Sequence, residues 1–218
     1  MTFQLGLMRV YWHQAMPAML TGMFGLGLYA LLWPDVMDWR DVWPWLAVFV
    51  QCLWLAASLG RFQTPAFAYF YSRGYSRDAL WTCKMLVSVL SILVGWLPAA
   101  LIVWTGLRSV IRDRLFLSPY FPIMAAYETW VPVSWLAVCL LLTAAFHYVW
   151  IRQAQPTKGQ QSGLFVAVGL IFALVTIFNS VNFYHGWIAW LLGVSYAIVL
   201  ICLVLGGRVL HRSLEVRT

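Results

Sequence analysis

Six stretches of the chain, residues 15–33, 42–60, 82–106, 130–150, 163–180 and 187–206, are apolar over 18 residues or more. A helix of about 20 residues is what crosses the ~30 Å hydrocarbon core of a bilayer. Backbone N–H and C=O groups find no water there, so such segments must close their own hydrogen bonds. The expected fold is all-α: a polytopic membrane protein of six transmembrane helices, with residues 1–218 forming a single transmembrane domain. Composition supports this. The apolar set makes up 63% of the chain and charged residues only 10%, whereas soluble domains hold about 45–50% and about 25%. A soluble fold of this size cannot hide that much apolar surface. A secreted disulfide scaffold, a disordered tail and a free cytosolic enzyme are thereby excluded.

Loop charges give the expected orientation. With the N-terminus inside, Arg9, Arg61, Arg73, Arg77, Lys84, Arg152, Lys158, Arg208, Arg212 and Arg217 are cytoplasmic, 10 of the 14 basic residues. Arg40, Arg108, Arg112 and Arg114 are then outside, together with Asp35, Asp38, Asp41, Asp113 and Glu128. Basic residues accumulate on the cytoplasmic side, so both termini are expected there. The net charge of +7 is read as this bias rather than as nucleic-acid binding, for which no basic block or motif is present. Residues 1–14 are expected to form an amphipathic lead-in helix on the cytoplasmic face, with Leu5, Met8, Val10 and Trp12 against lipid. In the outer loop, 107–129, the run from Leu107 to Leu115 suits a second surface helix. Trp33, Trp43, Trp45, Trp81, Trp130, Trp150 and Trp187 fall near span ends, where indole rings favour the headgroup region. Cys52, Cys83, Cys139 and Cys202 have no CxxC spacing and read as small buried hydrophobes.

No phosphate-binding loop, HExxH, GxSxG or EF-hand spacing occurs. Lys84 and Lys158 are the only lysines. The chain is therefore expected to lack catalytic residues and any means of hydrolysing ATP itself. His13, His147 and His211 approach the cytoplasmic interface and His185 the opposite one, without metal-ligand spacing, so no metal site is expected. The span interiors read as nearly free of ionisable groups. Gln51 and Asn179 are the polar residues placed to line a substrate path, although such residues more often bond a neighbouring helix. Ala18/Gly22, Ala56/Gly60 and Gly193/Ala197 are small-residue pairs that permit close helix contact.

The loop between the second and third stretches, residues 61–81, is the most basic cytoplasmic segment. Thr64-Pro65 is a helix-start signal, and Ala66–Tyr71 can continue it as a short aromatic helix. Ser72-Arg73-Gly74 breaks that helix, Ser76 caps the next, and Asp78 complements its dipole. A turn built this way delivers force directly into a transmembrane shaft. Tyr69, Phe70, Tyr71 and Tyr75 are candidate anchors for a cytosolic partner, with Arg73 and Arg77 as charged clamps. The same composition also suits a loop held against anionic lipid.

The string Tyr71-Ser72-Arg73-Gly74-Tyr75-Ser76-Arg77-Asp78-Ala79-Leu80, with Lys84 after it, resembles the corresponding loop of type-2 exporter-class ABC permeases. That loop commonly reads Leu-x-Ser-x-Pro-(apolar)-Ser-Arg-x-x-Leu, followed by a Lys. Ser72, Tyr75, Ser76, Arg77, Leu80 and Lys84 match; Gly74 replaces the usual Pro, and Phe62-Gln63-Thr64 lacks the usual acidic residue. The resemblance implies a permease subunit in the plasma/inner membrane of a bacterium, paired with a second permease copy or a related permease. It also implies a cytosolic ATP-binding subunit that docks under this loop and supplies ATP and Mg, with no cofactor bound by this chain. The expected cargo is hydrophobic or amphipathic. The alternative from another class is a membrane scaffold or assembly protein without a transport cycle. An intramembrane enzyme lacks any convergent polar set in the sequence.

Overall fold

The computed structural model describes residues 2–32, 42–59, 70, 72–105, 131–153 and 187–213. Among them there are five helices and no strand: α1 (Thr2–Leu32), α2 (Val42–Leu59), α3 (Arg77–Trp104), α4 (Val131–Gln153) and α5 (Trp187–Ser213). Three are long and apolar enough to cross a membrane, over Arg77–Trp104, Pro132–Ile151 and Gly193–Arg212. They coincide with the expected stretches 82–106, 130–150 and 187–206. Residues 42–59 of the expected stretch 42–60 form α2, whose apolar part, Pro44–Leu59, is shorter. The stretch 163–180, the whole outer loop 107–129 and the segment 61–69 lie outside the described residues.

The N-terminus differs from expectation. Residues 2–14 are not a separate surface helix but the first part of α1, which continues unbroken to Leu32. At 1.5 Å per residue its 31 residues extend about 46 Å, well beyond the ~30 Å apolar thickness of a bilayer. Pro17 lies inside this helix without ending it, and Thr21 Oγ1 donates to the Pro17 carbonyl at 2.9 Å. The physical reason is packing. Leu7, Tyr11, Ala15, Ala18, Leu26 and Ala30 form one buried stripe across both halves of α1, so the N-terminal half shares the inward face of the rest of the helix.

Contacts fix the arrangement. α1 packs on α2 and α3, α2 on α4, and α3 on α4, closing a ring of four; α5 lies outside it against α3 and α4. α1 and α2 are antiparallel, since Gly22 faces Gln51 and Gly25 faces Ala47. α3 and α4 are also antiparallel: Ser88 meets His147 at 3.1 Å, while Trp96 Nε1 donates to the Pro132 carbonyl at the far end. α5 runs parallel to α4, with Tyr196 donating to the Ala137 carbonyl at 2.6 Å and Gly206 facing Tyr148.

Helices gain little from apolar burial when the alternative is lipid, so association rests on close packing and hydrogen bonds. Ala15, Ala18 and Gly22 on α1 and Gly95, Ala99 and Ala100 on α3 let the backbones approach. A Cβ at Gly95 would come within 3.2 Å of the Met19 carbonyl. The Ala18/Gly22 pair thus serves contact within the chain, whereas Gly193 and Ala197 are exposed on α5. Outward faces are apolar: Leu86, Val89, Leu93, Leu97 and Leu101 form one stripe on α3, and Val194, Ile198, Ile201, Leu205 and Val209 another on α5. Cys52, Cys83 and Cys139 are buried as expected, but Cys202 is exposed on α5. Trp81 departs from its expected place in an interfacial belt. It is buried, with its ring where a Cβ on Gly207 would lie, 2.8 Å away.

Candidate functional site

The turn leading into α3 is built from local signals. Gly74 has φ +81, the left-handed conformation that the sequence break at Ser72-Arg73-Gly74 requires. Tyr75 N donates to the Phe70 carbonyl at 3.3 Å, closing the turn. Ser76 is the extended N-cap of α3, and its side chain accepts from Ala79 N at 3.1 Å. The loop therefore passes into the helix with no slack between them.

Its side chains divide into two sets. Ser72, Arg73, Gly74 and Ser76 are exposed. Phe70 and Tyr75 are half-buried and face inward: their rings meet edge to face at 5.6 Å, and Phe70 lies 6.3 Å from the Tyr11 ring of α1. Arg77 donates to the Arg212 carbonyl at the end of α5. Asp78 accepts from Arg208 Nε at 3.0 Å and from Arg212 Nε at 2.7 Å, and Arg212 supplies a second bond to its other oxygen. Of the expected docking residues, Phe70, Tyr75, Arg77 and Asp78 thus hold the turn to α1 and α5. Ser72, Arg73, Gly74 and Ser76 form its outer edge. Tyr69 and Tyr71 lie outside the described residues.

Directly above the turn lies a buried basic group. Lys84, assigned to the cytoplasmic segment, is 2% exposed, and its Nζ sits 5.6 Å from the centroid of the Tyr11 ring. His147 of α4 and His211 of α5 are fully buried within electrostatic reach of it. Trp81 packs between them, 6.4 Å from the His147 ring and 5.6 Å from the His211 ring. His147 and His211, far apart in sequence, are brought to one end of the bundle. The missed signal is the register of α3: Trp81, Lys84 and Ser88 are spaced three and four residues apart, on one helical face.

Ser88 links this cluster inward. Its hydroxyl donates to the Lys84 carbonyl at 2.8 Å and lies 3.1 Å from His147 Nε2. A serine hydroxyl has one proton, so when it is given to the carbonyl, Nε2 must be the donor to Ser88. That tautomer leaves Nδ1 as a bare acceptor.

Gln51 is fully buried on α2, seated between α1 and α3. Added Cβ atoms at Gly22 and Gly95 would lie 2.5 Å and 2.6 Å from its amide. It is enclosed by helix packing. Asn179, the other polar residue expected on a path, lies outside the described residues. Among the described residues no group of three or more His, Cys, Asp or Glu side chains is placed to hold a metal ion. Comparison with known protein families, curated proteins and solved structures gives no match to this chain.

Proposed function

We propose that this chain is the membrane permease subunit of an ATP-binding-cassette exporter. In this reading it has six spans and cytoplasmic termini, and the 61–81 loop receives force from a separate ATPase. The reading rests chiefly on one observation: the turn at 70–78 is exposed along one edge and locked along the other. Arg73 and Ser76 are presented outward, while the Ser76 cap and the Asp78 ion pairs join the turn to the ends of α3 and α5. Displacement of its outer edge is thereby passed to two helices together. The Ser-Arg-x-x-Leu pattern in this turn gives the partner its class.

The helix directions support six spans. α4 and α5 run parallel as neighbours, and in this reading the chain between Gln153 and Trp187 returns across the bundle. The apolar stretch 163–180 lies within that connection and has the length to do so. Bundle faces that are apolar and poor in charge suit a hydrophobic or amphipathic cargo.

The test is co-purification with a candidate ATP-binding subunit, sought first among the proteins encoded beside this chain, followed by measurement of ATP hydrolysis in lipid. Arg73→Glu, at the outer edge, is expected to weaken association and lower stimulated hydrolysis while leaving the fold unchanged. Intact association and activity in that variant would remove the docking role. Absence of any ATPase partner would favour the non-transporting scaffold.

A further inference from the structure

The inward face of α3 carries Lys84, Ser88, Ser91 and Gly95, all buried and spaced four, three and four residues apart. Such spacing makes one stripe. Thr143 and His147, one turn apart on α4, are buried opposite it, and Ser88 meets His147 at 3.1 Å. Because α3 and α4 are antiparallel, Ser91 and Thr143 each stand about one turn farther from the Lys84 end. Gln51 lies beyond them, against Gly95. Polar groups thus succeed one another from Lys84 to the middle of the bundle: Ser88 with His147, then Ser91 and Thr143, then Gln51.

Several atoms along this line lack a protein partner among the described residues. Gln51 Oε1 and Nε2, Ser91 Oγ, Thr143 Oγ1 and His147 Nδ1 are buried without a hydrogen bond among the described residues. Each such group left dry is destabilising, and native structures seldom leave many in one place. Self-satisfaction is the usual remedy for a helical hydroxyl. Thr21 and Ser88 bond the carbonyl one turn back, and Ser58 a carbonyl three residues back. Ser91 and Thr143 do not. Gln51 is a sharper case, because two glycines on two helices leave room for its amide where an aliphatic side chain would fill the slot with no polar cost.

We propose that the interior of the α1–α4 ring binds a short file of water molecules joining Gln51 to Ser91, Thr143 and His147. Spacing and chemistry both fit this ligand. One water making two hydrogen bonds of about 2.8 Å at its roughly tetrahedral angle spans about 4.6 Å, comparable with the ~4.5–6 Å rise over the three or four helical residues that separate successive levels. Water donates to the bare Nδ1 of His147 and to Gln51 Oε1, and accepts from Gln51 Nε2. The two hydroxyls both donate and accept, so every unpartnered atom is served. This inference does not depend on the transport reading.

Water-edited solid-state NMR of the ¹⁵N-labelled chain in lipid bilayers is the direct test, with the Gln51 side-chain amide assigned by its loss in Gln51→Leu. Transfer from water to that amide is expected to match the exposed Arg73 amide. Transfer no faster than to Ala99 and Ala100 in the packed core would overturn the proposal. Thr143→Val and Ser91→Ala give an independent sign. Removing a hydroxyl from a hydrated file strips bridging waters of a partner and lowers the melting temperature. In a dry interior the same change removes an orphaned polar group and raises it, which would also overturn the proposal.

Discussion

Asp78, in the first turn of α3, accepts a 2.7 Å hydrogen bond from Nε of Arg212, near the end of α5. The pair joins residues 134 positions apart and ties the turn at 70–78 to the last helix. Both side chains reach water, so the attraction is screened by salt. Asp78→Asn and Arg212→Gln are each expected to lower the melting temperature at low ionic strength, with the difference shrinking at about 1 M salt, where the screening length is about 3 Å. The exchanged variant Asp78→Arg with Arg212→Asp should recover part of the loss, as read by a double-mutant cycle.

Gly95 holds α1, α2 and α3 together by having no side chain. Gly95→Ala introduces a methyl group 2.6 Å from Gln51 Nε2 and 3.2 Å from the Met19 carbonyl. Overpacking of this kind costs about 1–3 kcal/mol. Chemical denaturation in mixed micelles should show that loss. Adding Gln51→Ala should relieve the clash with the amide but not the approach to the Met19 backbone, so recovery is expected to be partial.

The turn has its own weak point. Gly74 has φ +81 and nothing within 4 Å of an added Cβ, so replacement there is a backbone effect alone. Gly74→Ala is expected to cost about 1–2 kcal/mol, and Gly74→Asn less, since Asn tolerates the left-handed region. Thermal unfolding of the three proteins gives the order. A loss for Ala no greater than for Asn would contradict the conformational account.

Ser88→Ala removes the hydroxyl that lies 3.1 Å from His147 Nε2 inside the bundle. A buried imidazole nitrogen left without that bond costs about 1–3 kcal/mol. The double change Ser88→Ala with His147→Leu should be milder than the sum of the single ones. Equal stability of Ser88→Ala and the unmodified protein would mean that the contact contributes nothing.

How much of this was legible follows the range of each interaction. Gly74, Ser76 and Asp78 announce a turn, a cap and a helix start within one short run, and the structure forms all three there. The apolar stretches 82–106, 130–150 and 187–206 announce helices, because uninterrupted apolar sequence is itself the signal. The continuity of α1 was not legible: Gln4, Arg9 and His13 make residues 1–14 look like a surface element, and only contact along the Leu7–Tyr11–Ala15 stripe extends the helix through them. Inward placement of Phe70 and Tyr75 was equally hidden, since an aromatic ring in a loop serves a partner or its own chain with the same composition.

The sequence by itself determined that this is an all-helical chain with segments able to cross a membrane, and where the turn into α3 is made. Both follow from local properties: apolar length, capping and one glycine. Only the tertiary structure decided that Lys84, His147 and His211 share one buried end, that Gln51 sits between two glycines, and that α5 runs beside α4 in the same direction. These are meetings between residues tens of positions apart. They depend on helix register and on which backbones can approach, and neither is written at any single position of the chain.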